Sequence, residues 1–357
     1  MTAHSFTVPL VDLTIADQAG FGGKSAHLGE LLRAGIPVPP GFALSTAAYE
    51  AFIEERKLLA TVEDALASAR AGDLEALSAA AQGIGDAMRA VPVPHALREE
   101  IELRYSELAE HTGRTAPPTA VRSSAVGEDS LEATFAGQQE TYLWVCGVEE
   151  ICAAVRDCWA SLYSAPAISY RAHLPGTERP AMGVTVQLMV DAAVSGVLFT
   201  CSPVSGDPSM VAVNASWGLG QAVVGGEVTP DDFLVSKVTG EVVRARIGSK
   251  DIQYVRADSG GTARLSVPAE MRDAPCLDEN DLAALLDVAR RVERHFGRHQ
   301  DVEWAIARGT TAPGGLFILQ SRPVTTLHEP PRERAPLSAM ALLMGTFGAG
   351  DPPAAPG

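Results

Sequence analysis

Three side chains near the end of the chain combine chemistry that a protein core has little use for. Asp301 to Ala307 and Leu316 to Arg322 read as strands, joined by Arg308-Gly309-Thr310-Thr311-Ala312-Pro313-Gly314-Gly315, a loop built for turning. Gln320 and Arg322 are two residues apart and share one strand face, and Glu303 on the partnering strand can face them across the ladder. The carboxylate and the amide oxygen can ligate Mg²⁺, and the guanidinium can hold terminal phosphate oxygens. Two readings stand on these residues alone: a nucleotide–metal site, or a solvated sheet face with one salt bridge.

A second arginine lies far upstream. In Ala120-Val121-Arg122-Ser123-Ser124, Arg122 sits at the end of a strand-like run and enters a loop rich in hydroxyls and acids. Such an arginine is costly to bury without an anionic partner, and its planar fork suits phosphate. The alternative is an internal pair with Glu128 or Asp129. Downstream, Gly137 would let the backbone approach a ligand closely.

Gly22-Gly23-Lys24-Ser25 looks at first like the end of a phosphate-binding P-loop. The first glycine of G-x-x-x-x-G-K-[ST] would fall at position 18, which is Gln18, and no suitable hydrophobic strand precedes it. What survives is a lysine at a helix start, where backbone N–H groups and an ammonium favour an anion; an ordinary turn fits equally well.

These groups must be positioned by a mixed α/β chain. Leu28, Leu31 and Leu32 predict a helix over 25–34, with Ser25 as N-cap and Gly35 as the stop. Pro37 to Gly41 forces a rigid, irregular connection. Residues 46–111 read as several Ala-, Leu- and Glu-rich helices. Thr119 to Ser124, Thr141 to Val145 and Thr185 to Val190 read as strands. Between Val194 and Val235, short apolar runs alternate with turn residues, as suits a β-rich second lobe. Glu279 to Phe296 is a strong amphipathic helix, with Leu282, Leu285, Val288, Val292 and Phe296 on one side. The expected organisation is an N-terminal α/β lobe over 1–190, a second lobe over 191–327 carrying the hairpin, and a flexible Pro/Gly/Ala-rich tail over 328–357.

Length and composition agree with two folded lobes: 357 residues, 46% hydrophobic and 20% charged, enough for a sizeable core. Lys+Arg number 28 against 44 Asp+Glu, a formal charge of −16, which argues against a nucleic-acid binder but not against a small anion held by local arginines. Met1 to Leu13 lacks a secretory pattern, and the most apolar stretch, Ala181 to Thr200, is broken by Gln187 and Asp191. The five cysteines form no C-x-x-C pair and suit small buried groups in a reducing, cytoplasmic setting.

Four ordered segments carry a family resemblance. GGKSAHLGELLRAGIPVPPGF, AVRSSAVGEDSLEATFAGQQETYL, ASWGLGQAVVGGEVTPDDF and DVEWAIARGTTAPGGLFILQSRPVTT resemble the N-terminal nucleotide-binding domain of the phosphoenolpyruvate synthase, pyruvate phosphate dikinase and rifampin phosphotransferase family. The resemblance covers about residues 6–327. It implies an ATP-grasp fold with ATP and Mg²⁺ between two α/β lobes. Matched motif by motif, Lys24 and Arg122 would contact phosphates, Gly137 and Thr141 would lie along the nucleotide, and Gln187 would sit at the cleft. Glu303 and Gln320 would hold the metal, and Arg322 the terminal phosphate; Lys24, Arg122 and Arg322 would stabilise charge during transfer.

The resemblance further implies an ATP-dependent phosphotransferase in which a histidine on a separate protein receives the phosphoryl group before a small molecule does. Direct transfer to a small acceptor, or an ATP-binding scaffold with weakened catalysis, are the alternatives. The family's Trp-Gly-Leu-Gly is usually followed by Glu, whereas Gln221 follows here, and none of the eight histidines lies in the T-x-H-A-type motif of the family's swivelling domain.

Overall fold

The computed structural model describes residues 5–69, 73–125, 140–172, 180–258 and 260–324. Strands β1 (Thr7–Pro9), β2 (Gly41–Leu44), β3 (Thr119–Ala125), β4 (Thr141–Val145) and β5 (Met182–Leu188) form a five-stranded sheet in the order β1-β2-β5-β3-β4. Every pairing in it is antiparallel. Helices α1 (Gln18–Phe21), α2 (Gly23–Arg33), α3 (Thr46–Glu55), α4 (Leu59–Ser68), α5 (Leu74–Ala90), α6 (His95–Thr112), α7 (Val148–Ser161) and α8 (Ala165–Ala172) accompany this sheet in sequence. The core beneath it gathers Phe52, Ile84, Ile101 and Trp159 against Val121 and Val186.

The second half is strand-rich, as its alternating apolar runs predict. It contains β6 (Ala192–Phe199), β7 (Met210–Trp217), α9 (Gln221–Val224), β8 (Asp231–Ser236), β9 (Val242–Arg246), β10 (Ile252–Arg256), β11 (Thr262–Ser266), α10 (Ala269–Arg272), α11 (Glu279–Phe296), β12 (Gln300–Ala307) and β13 (Leu316–Pro323). Six of these strands form a sheet in the order β13-β12-β6-β7-β8-β9, while β10 and β11 pair as a separate hairpin. Helix α11 spans the residues its periodicity predicts. It opens on a reciprocal Asp278–Asp281 capping box, closes on left-handed Gly297, and buries Leu282, Leu285, Val288 and Val292. Trp304 and Ile318 of the β12–β13 hairpin lie in the same core.

Helix α2 departs from its expected start. Ser25 does not cap it: the helix begins at Gly23, and the Ser25 hydroxyl lies 2.7 Å from Thr185 Oγ1 on β5. The cause is Gly22, whose φ of +80° and missing side chain let the helix start press on β3; a Cβ there would lie 2.0 Å from the Ser124 carbonyl oxygen. Further along, Leu28 and Leu31 of α2 belong to the core of the second sheet. This helix therefore touches both sheets. Strand β5 also runs earlier than its sequence suggests, because Met182 and Gly183 pair with Ala125 and Ser124, while Met189 and Val190 lie beyond the sheet. Among the described residues no helix is long and apolar enough to cross a membrane.

Candidate functional site

The β12–β13 hairpin has the register its spacing suggests. Glu303 stands opposite Gln320, and Asp301 opposite Arg322. Val302, Trp304, Leu316 and Ile318 of the hairpin fill the core beneath α11, and a register shift between Glu303 and Trp304 turns Gln320 away from the face of Ile318, so that it pairs with Glu303 on the side toward the first sheet.

Arg122 reaches that face from β3. Its Nη1 donates to the Leu319 carbonyl at 2.9 Å, and its Nη2 donates to Gln320 Oε1 at 2.7 Å and Glu303 Oε2 at 3.4 Å. The guanidinium thus bridges the two sheets. Its side chain is 13% exposed, and Nε is a buried donor with no hydrogen-bond partner among the described residues. An orphaned buried donor of this kind costs about 1–3 kcal/mol, and it suits the approach of an oxygen from outside the protein. Glu128 and Asp129, the alternative partners for Arg122, lie outside the described residues, as does Gly137.

Arg322 is held by a residue that sequence reasoning missed. Its Nε donates to Asp301 Oδ2 at 2.8 Å, and Nη2 approaches the same oxygen at 2.8 Å. Burial pushes the Asp301 carboxyl above its ordinary range, the Arg322 guanidinium pulls it back, and the Glu303 carboxylate raises it again. The signal for Asp301 was available in the hairpin pairing: a carboxylate two residues before Glu303 must stand opposite Arg322.

These groups border a cavity of about 570 Å³, a size that suits a small-molecule ligand. Arg122, Thr141, Gln187, Glu303, Gln320 and Arg322, all proposed from the sequence, line it together. Thr141 is the register partner of Arg122 across β3 and β4. Gln187 is buried and donates from Nε2 to the Pro39 carbonyl at 3.1 Å, so its amide is oriented by the Pro-rich connection. The apolar share of the wall comes from Leu143, Met189, Val190 and Leu319, which cluster with Trp144 and were not singled out in the sequence. Their types carry no signal apart from ordinary core residues. Gln221, the first residue of α9, lines this cavity and a second one of about 460 Å³ between β4, α7 and the β10–β11 turn.

Lys24 is placed elsewhere. It is not among the lining residues; it is 4% exposed, and its Nζ donates to the Ser123 carbonyl at 3.0 Å, one residue beyond Arg122 on β3. At the start of α2, the Ser25 N–H already donates to Ser124 Oγ at 3.2 Å.

Glu303 and Gln320 fit a divalent cation. Both direct an oxygen at a single positively charged nitrogen of Arg122, so a cation of another kind can be received at the same point. An acidic and an amide oxygen are hard donors of the sort Mg²⁺ takes, with the rest of its shell left for water and phosphate oxygens.

An antiparallel two-sheet α/β chain with a nucleotide-sized cavity where arginines and hard oxygen donors meet suits a nucleotide-binding domain, and comparison with known proteins identifies the family. The chain belongs to the family described as the pyruvate phosphate dikinase AMP/ATP-binding domain, whose family model matches residues 18–341. It is 41% identical over 325 residues to a probable phosphoenolpyruvate synthase of Methanothermobacter thermautotrophicus, covering 91% of this chain and 46% of that protein. Against the phosphoenolpyruvate synthase of Aeropyrum pernix it is 38% identical over 373 residues, covering 94% of this chain and 44% of that one. The chain thus spans less than half the length of these relatives. A solved structure from Pyrococcus horikoshii, at 14% identity and a TM-score of 0.32 over 76% of this chain and 97% of that one, is too distant to inform the fold.

Proposed function

We propose that this chain is an ATP-grasp module that binds ATP with Mg²⁺ between its two sheets and supports phosphoryl transfer. The observation that carries the reading is the convergence of Arg122, Glu303, Gln320 and Arg322 on one cavity that Leu143, Met189, Val190 and Leu319 also line. An apolar wall suits a base, and the polar end suits a polyphosphate.

In this reading Glu303 and Gln320 hold the cation, which neutralises phosphate charge when bound. Arg122 and Arg322 stabilise charge as the P–O bond breaks, with Arg322 aimed by Asp301. Thr141 and Gln187 border the nucleotide. Lys24, which lies off the cavity, and Gly137 enter the phosphate-facing set by their motifs alone. The lobes correspond to residues 1–190 and 191–327. The acceptor is a histidine outside this nucleotide-binding domain, which then passes the group to a small molecule. Direct transfer to a small acceptor is the second reading, favoured by the adjoining cavity that shares Thr141, Leu143 and Gln221 with the first.

Isothermal calorimetry tests the core of the reading. ATP affinity should fall sharply when Mg²⁺ is chelated and in Glu303→Ala, and that variant should lose on the order of 2–4 kcal/mol of transition-state stabilisation in turnover. Equal affinity in all conditions would sink the assignment. Chromatography of the products then separates AMP plus phosphate, which marks the histidine route, from ADP, which marks direct transfer.

A further inference from the structure

Arg122 occupies the oxygens that a cation would need. Its Nη2 is the common hydrogen-bond partner of Gln320 Oε1 at 2.7 Å and Glu303 Oε2 at 3.4 Å, and its Nη1 is anchored on the Leu319 carbonyl between them in sequence. These donors and acceptors lie on opposite sheets, so the contact also closes the gap between β3 and the hairpin. The fork is not saturated. Nε is buried without a partner among the described residues, so this grip leaves one N–H of the arginine unused.

We infer that Arg122 is a tethered cation that blocks the metal position in the nucleotide-free protein, and that it is drawn off Glu303 and Gln320 only when a polyphosphate arrives. The inference rests on the proposed binding of Mg²⁺ and ATP at these residues. A metal ion drawn to the same two oxygens would sit against the guanidinium, and like charges in a partly buried setting repel strongly. A guanidinium that moves onto phosphate oxygens exchanges one set of charge-assisted hydrogen bonds for another and satisfies its orphan Nε. The metal then enters with the nucleotide, completing its shell with phosphate oxygens, rather than waiting in an empty site. Arg122 thereby performs a second task, keeping free divalent cations off a strongly acidic protein's active site until a nucleotide is present.

The prediction runs against the usual effect of removing a binding-site residue. Arg122→Ala should weaken ATP binding yet strengthen metal binding in the absence of nucleotide. The measurement is titration of the nucleotide-free protein with Mn²⁺, following the free-ion signal by electron paramagnetic resonance. Arg122→Ala is expected to bind Mn²⁺ at least about tenfold more tightly than the unmodified chain, and the added Glu303→Gln should abolish the gain. Arg122→Gln, neutral but still able to hydrogen-bond, replaces the alanine variant should circular dichroism show that one unfolded. No gain in either variant, or a gain that survives Glu303→Gln, overturns the inference. A parallel titration with ATP present separates the two claims. Should Glu303→Gln weaken Mn²⁺ uptake there while Arg122 variants show no gain without ATP, the metal site stands and the blocking role falls. Should Glu303→Gln change nothing under any condition, the site itself falls and takes the blocking role with it.

Discussion

Arg122 carries a stability consequence that its chemistry alone does not suggest. A phosphate-binding arginine awaiting its ligand would be nearly neutral for the free protein. This one already has three partners on the opposing sheet, so its removal strips the Gln320 and Glu303 oxygens and the Leu319 carbonyl of a donor. Hydrogen bonds to a charged group contribute about 1.5–3 kcal/mol, but Glu303 is one-third exposed and water screens and replaces part of the loss. Arg122→Ala should therefore destabilise the ligand-free protein by roughly 1–2 kcal/mol in urea melts. A change of about 3–5 kcal/mol, the scale of a broken buried pair, would show the guanidinium to be chiefly structural. The residue type was legible in the sequence; its partners were not, because Gln320 is 198 positions away and no local pattern reports such a contact. The cysteines were easier. Four are buried and Cys146 is half-buried, and burial raises the thiol pKa of Cys146 and lifts that of Cys152 to about 11. At neutral pH both stay protonated and weakly nucleophilic.

At the scale of elements, what could be read in advance depended on pattern strength. Helix α11 and the β12–β13 hairpin were legible because a one-sided apolar stripe and a turn-rich loop are local signals. Strand β2 was hidden by its start at Gly41, the last residue of a Pro-rich run, and β9 by exposure at every position, which removes the alternation a half-buried strand displays. The least legible feature is the knot that ends the second sheet. Asp231, at the start of β8, is fully buried. Its Oδ1 accepts from Lys250 Nζ at 2.5 Å and from the Gly248 N–H at 3.0 Å, and its Oδ2 accepts from the Cys276 N–H at 2.8 Å. One carboxylate thus ties β8 to the segment before β10 and to the approach to α11. Truncating Lys250 to Ala leaves that buried charge uncompensated, so a loss of about 3–5 kcal/mol is expected. ATP affinity measured well below the melting temperature should stay within about twofold, since neither Asp231 nor Lys250 lines the nucleotide-sized cavity. Loss of binding without loss of stability would contradict this structural assignment.

Across the whole molecule, the question is whether two sheets with separate cores behave as one unit. Helix α2 joins them: Leu28 and Leu31 are packed in the second core, while Ser25 meets Thr185 and Ser124 of the first sheet, and Lys24 Nζ holds the Ser123 carbonyl. Arg122 adds a second bridge, and the Arg256 guanidinium, 5.3 Å from the ring centroid of Trp144, ties the separate β10–β11 hairpin to β4. A nucleotide in the cavity would touch both sheets as well, so its binding energy should stabilise them jointly. At a hundredfold excess over Kd a single ligand adds about 2.7 kcal/mol. For a chain of this size that corresponds to a rise in Tm of about 4 °C. Differential scanning calorimetry should therefore show one cooperative transition, displaced upward by ATP with Mg²⁺ and much less by ATP in chelator or in Glu303→Ala. Two transitions, with only one moved by nucleotide, would mean that α2 and the Arg122 bridge do not couple the sheets. The ligand would then rest on one lobe, and the cavity between them would not be where the nucleotide is held.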